Sequence, residues 1–242
     1  MKRIFLFSIL LFTAAVVKAQ TVEGHWSATI NGPVTIIEYR PGAFDSNSWT
    51  DTTNFRLNDL GNTANNSFSS TRDAGTVVFY GKFAAGKGSG TYVFTLSKSF
   101  ADSVAASGVT TVNARDGFSF FRKGFTIAYM TFLKQAGFKG IAAHSANAMY
   151  TLKIDRPFIG QFKALGYSNI PPHNLITFKV MHIDAAFISG FRKLGYSNIS
   201  LNDLPALKSN HINPEYVAEM QKKGIKEARL REYVRMKQNS AQ

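Results

Sequence analysis

The 242-residue chain has no cysteine, two tryptophans and seven prolines, and it carries 15 acidic residues against 28 lysines and arginines. The lack of cysteine excludes disulfides and thiol-linked lipid, so an exported form must hold together by packing alone. Only residues 4–17 form a long apolar run, so no membrane span is expected elsewhere. No His-Glu-x-x-His helix motif occurs, and no catalytic motif survives inspection.

The apolar run follows Lys2 and Arg3 and ends at Val17-Lys18-Ala19. That order reads as a secretory signal over residues 1–19 and predicts a periplasmic or secreted protein. Without Lys2, Arg3 and Lys18 the net charge falls from +13 to +10. Residues 20–108 hold six basic and seven acidic residues, a net −1, whereas 109–242 hold nineteen and eight, a net +11. Such a charge ordinarily suggests nucleic acid. An exported chain rarely meets one, so the expected partner is an acidic protein or the envelope surface.

Residues 20–96 read as a small antiparallel β domain, closed or sandwiched. Runs such as Thr76-Val77-Val78-Phe79-Tyr80 and Thr91-Tyr92-Val93-Phe94-Thr95 are β-branched and aromatic, and turn residues separate them. The stretch Gly81 to Gly88 is close to a phosphate-binding loop, but Gly88 stands where that motif needs Ser or Thr and a strand follows it. A glycine-rich hairpin is the better account. Trp26, Tyr39 and Trp49 are candidates for sugar stacking, weighed against core packing.

Residues 97–242 read as a helical repeat domain. Gly195-Tyr196-Ser197-Asn198-Ile199 repeats Gly166-Tyr167-Ser168-Asn169-Ile170 at an offset of 29, and Gly108, Gly137 and Gly224 continue that spacing. A fixed period of this size is the mark of a solenoid. Thr126, Asp155, Asp184 and Asn213 fall in one column suited to helix N-caps, with Ser97 one period earlier. Apolar columns at Tyr129/Phe158/Phe187/Tyr216 and Leu133/Phe162/Phe191/Met220 place a stripe on a helix that stops at the glycine. Each unit should hold that helix, preceded by a shorter, weaker one, and a charged helix from Glu227 to Lys237 should end the array.

The stretch Leu207-Lys208-Ser209-Asn210-His211-Ile212-Asn213-Pro214-Glu215-Tyr216-Val217 resembles repeats that follow the membrane metallopeptidase domain of β-lactam-sensor-like proteins. The resemblance covers roughly residues 75–224 and implies the exported tail of such a protein, existing alone. The family's zinc motif is absent, so neither its activity nor its site residues carry over.

His182 and His211 share a column, but equivalent positions of packed helices lie roughly 10 Å apart, and zinc bonds are about 2 Å. They read as residues beside a helix cap, and no cofactor or metal is expected. His144-Ser145 lacks an identifiable acid partner, and Asp155 and Asp184 are explained as caps. Lys134, Lys163 and Arg192 share one column, and Lys193 and Lys222 the next, which predicts a basic ridge beside the glycine turns. The expected function is that of an exported, non-enzymatic interaction protein of the envelope. The alternative is an envelope-acting hydrolase with its site in the β domain.

Overall fold

The computed structural model describes residues 20–41, 51–110 and 112–239. The signal-peptide reading and Trp49 lie outside these residues. The fold is α+β. Among the described residues six antiparallel strands come first: β1 (Thr21–Asn31), β2 (Val34–Pro41), β3 (Asp51–Arg56), β4 (Ser67–Arg72), β5 (Gly75–Ala84) and β6 (Lys87–Leu96). They form one curled sheet in the order β3-β2-β1-β6-β5-β4. A 3-10 turn, Leu57–Leu60, touches both edge strands, and Leu60 is fully buried there. The near-motif at 81–88 is a tight hairpin turning at Ala85 and Gly86, both at positive φ. Trp26 and Tyr39 are buried in the sheet's interior, so neither offers a face for a sugar.

Ten helices follow among the described residues: α1 (Lys98–Ala106), α2 (Ala114–Lys123), α3 (Ile127–Gln135), α4 (Ala143–Thr151), α5 (Arg156–Ala164), α6 (Pro172–Val180), α7 (Ala185–Lys193), α8 (Leu204–Ser209), α9 (Pro214–Lys222) and α10 (Leu230–Asn239). Ser97, Thr126, Asp155, Asp184 and Asn213 cap α1, α3, α5, α7 and α9, each side chain accepting from the backbone N–H three residues on. The expectation of a shorter first helix fails for most of the array. Helices α2, α4 and α6 run ten, nine and nine residues, and only α8, with six, is short. Ala146 and Met149 of α4 and Leu175 and Phe178 of α6 are fully buried, so tertiary packing sustains these helices.

Helix α2 joins the two halves. Its Phe118 packs within 5.2 Å of Tyr39, 5.1 Å of Tyr92 and 5.1 Å of Phe94, and Phe121 lies 5.5 Å from Phe94. Phe120, on the opposite face, meets Phe100 and Phe125 of the array. Sheet and helices therefore share one aromatic core. Residues from both sheet edges hold the C-terminus of α2. Arg72 of β4 donates to the Phe121 carbonyl at 2.6 Å and the Arg122 carbonyl at 3.2 Å, while Thr53 of β3 donates to the latter at 3.4 Å. Arg122 in turn pairs with Asp51. The Arg72 guanidinium also sits 4.5 Å from the centre of the Phe55 ring.

Candidate functional site

Successive helix pairs are tied by contacts that recur along the array. The His182 and His211 residues sit at φ of 52° and 54°, just after α6 and α8. Their carbonyls accept from Lys208 Nζ at 3.1 Å and Lys237 Nζ at 3.3 Å. The same two lysines lie over the rings of Phe187 and Tyr216, as Lys179 lies over Phe158. Tyr150 fills the corresponding place earlier, set edge-on to Tyr129 and donating to the Gly124 carbonyl at 2.6 Å. The histidines are thus turn residues whose carbonyls are satisfied by the next unit. Among the described residues no three His, Asp or Glu side chains are grouped to hold a metal.

Many charges of the array sit at the ends of its helices. Asp155 and Asp184 cap helix starts, Asp116 closes a capping box, and Asp203, Glu219 and Glu232 pair with Arg231, Lys223 and Arg235. Lys134, Lys163, Arg192 with Lys193, and Lys222 occupy the last turns of α3, α5, α7 and α9. Cations there complement the partial negative charge of the helix end. Lys134, Lys163, Lys193 and Lys222 are exposed. Arg192 is half-buried, donates to the Leu165 carbonyl at 2.7 Å and lies over the Tyr167 ring. Arg192 is therefore a strut between neighbouring units, whereas the other four stand exposed at helix ends.

Lys163 lines a groove of ≈ 460 Å³ between the loop after α3 and the loop after α5. Lys139, which the column pattern of the sequence does not single out, lines it as well, and no acidic residue does. The Tyr167 hydroxyl donates to the Ile199 carbonyl and the Tyr196 hydroxyl to the Glu227 carbonyl, both at 2.8 Å. These bonds explain why both copies of the repeated pentapeptide carry tyrosine.

Two other cavities contain reactive residue types. Ser119, His144 and Asp116 line a groove of ≈ 390 Å³ between α2 and α4. The Ser119 hydroxyl accepts from Asn147 at 2.7 Å, and an Asp116 oxygen accepts from the Asn113 N–H at 3.3 Å. Among the described residues no hydrogen bond joins His144 to either, so nucleophile, base and orienting acid are not assembled. The second cavity, of ≈ 630 Å³, lies where α2 meets the sheet and is lined by Tyr39, Tyr92, Asp51, Arg115 and Arg122 among others. Burial pushes the Tyr92 phenol up to about 12 and the Tyr39 phenol further in the same direction. Both stay protonated at neutral pH and neither serves as a base there. No protein family, curated protein or solved structure matches the chain.

Proposed function

We propose that the protein is an exported, non-enzymatic docking protein of the cell envelope that holds an acidic protein partner on the basic edge of its helical array. The observation that carries this reading is the segregation of charge. Apart from Glu227, the acids of the array sit at helix starts or in ion pairs, whereas Lys134, Lys163, Lys193 and Lys222 stand exposed at successive helix ends. A row of exposed like charges favours a negatively charged surface and steers its approach. Helices of the array present this row on a scaffold whose turns are cross-tied, so the charges keep their spacing.

The test uses the chain without residues 1–19 and a variant in which those four lysines are glutamine, Arg192 being left in place because it ties two units together. Each is used to capture partners from an envelope extract at low and high salt. Exposed charges are screened beyond about 8–10 Å at physiological ionic strength, so capture should weaken with salt and in the variant. The same captured set under all four conditions would overturn the reading. Sequencing the N-terminus of the native protein tests export: a chain that starts at Gln20 supports it, and one that still starts at Met1 contradicts it.

A further inference from the structure

Ile141, Ile170 and Ile199 occupy matching places in three successive loops, and each side chain is buried. Their backbones are treated differently. The Ile141 N–H donates to the Gly108 carbonyl at 3.1 Å and its carbonyl accepts from Thr110 at 2.8 Å, a short parallel bridge between neighbouring loops. The Ile199 carbonyl is taken by the Tyr167 hydroxyl. Ile170 has neither device. Among the described residues nothing donates to its carbonyl, which sets it apart from Ile199, and its N–H, like that of Ile199, finds no acceptor. The residue that would supply the hydroxyl is Phe138, which stands where Tyr167 and Tyr196 stand in the following units. This junction is where the groove bounded by Lys139 and Lys163 opens, and Ile170 lines it.

We propose that this groove is a docking site for an extended acidic segment of a protein chain. The segment adds the missing bridge: one of its carbonyls accepts from the Ile170 N–H, and one of its N–H groups donates to the Ile170 carbonyl, as Gly108 and Thr110 do for Ile141. Main-chain bonds of this kind bind any extended backbone. Lys139 and Lys163 on the groove's walls select segments that carry Asp or Glu beside the paired residues. The proposal rests on the docking reading above and narrows it to one junction and one backbone geometry.

The experiment measures anisotropy of a fluorescein-labelled octapeptide of alternating glutamate and valine, with alternating lysine and valine as control, against the chain without residues 1–19. Lys139→Gln and Lys163→Gln should each weaken binding by about fivefold. Phe138→Tyr leaves charge unchanged and supplies a hydroxyl at the same offset from Ile170 that Tyr167 has from Ile199, so it should weaken binding by about tenfold. Amide NMR spectra during titration should show Ile170, Ser168 and Asn169 shifting first. Heparin, a polyanion without peptide groups, should bind wild type and Phe138→Tyr alike. Peptide binding that the lysine variants weaken but that leaves the Ile170 amide unmoved overturns the groove and spares the general docking reading. Binding indifferent to salt and to the lysine variants overturns both.

Discussion

The hydroxyl of Tyr167 donates to the carbonyl of Ile199 across 32 positions of chain, and it does so from a side chain that is only half-buried. A buried-edge carbonyl is thereby satisfied by the preceding unit. Tyr167→Phe should lower stability by about 1 kcal/mol, the net value of such a bond, which is about 2–4 °C in melting temperature for a chain of this size. Tyr92→Phe is the contrast. Its hydroxyl is buried without a hydrogen-bond partner, so its removal should leave the melting temperature unchanged or raised. A larger loss for Tyr92→Phe than for Tyr167→Phe in parallel thermal melts would contradict the assignment.

Turn geometry separates glycines from histidines. Gly166 sits at φ 86° with nothing within 4 Å of where a Cβ would stand, so any penalty at this site is conformational. Gly166→Val should cost on the order of 1–2 kcal/mol from left-handed strain, more than Ser168→Val. His182 adopts φ 52° without being glycine. His182→Gly relieves that strain and should stabilise by about 0.5 kcal/mol after the added freedom of the unfolded chain is counted. Urea unfolding of the three variants checks the order.

Arg72 holds the end of α2 through two carbonyls and the Phe55 ring. Arg72→Leu should cost about 2–3 kcal/mol, because bonds from a charged donor are strong and two partly buried carbonyls lose it. Circular dichroism in the near ultraviolet should report looser packing of the surrounding aromatics. Lys98→Gln, which breaks only an exposed pair with Asp102, should change stability by less than about 0.5 kcal/mol.

Burial is the main reason that the Tyr92 phenol rises to about 12, and it moves Tyr39 and Tyr129 the same way. An unfolded tyrosine ionises near about 10. Between those values the folded state holds protons that the unfolded state has released, so stability is complete below about pH 10 and falls as pH rises from there. Denaturant midpoints at rising alkaline pH should decline in the wild type and decline less steeply in Tyr92→Phe. Parallel slopes would exclude Tyr92 as a source of the effect.

Much of this was legible in the chain. Thr126, Asp155, Asp184 and Asn213 announce helix starts because short side-chain oxygens serve best at that position. The β-branched runs of β5 and β6 fit a pleated surface and little else. The role of α2 was not legible. Phe118 and Phe121 follow the same helical spacing as apolar residues elsewhere in the array, and spacing does not say whether the facing surface is a helix or a sheet. Arg192 and Lys193 are neighbours of like charge, yet one is a strut and the other is solvent-exposed, a difference set by the helical turn between them and by the Leu165 carbonyl. The groove hangs on one missing hydroxyl, at Phe138, and that signal acquires meaning only when Tyr167 and Tyr196 are seen to use theirs.

Because the rings of α2 fill the open mouth of the sheet on one face and meet Phe100 and Phe125 on the other, the chain has no natural seam after the last strand. A ribosome must deliver Phe118 and Phe121 before the strands can bury their inner face, so the sheet waits on the first stretch of the array during synthesis. Anyone who grafts these helices onto another protein, or lengthens them by inserting units, inherits that order: a cut at Leu96 leaves a greasy cup on one piece and a greasy plug on the other, and a cut after Lys123 parts Phe120 from Phe125.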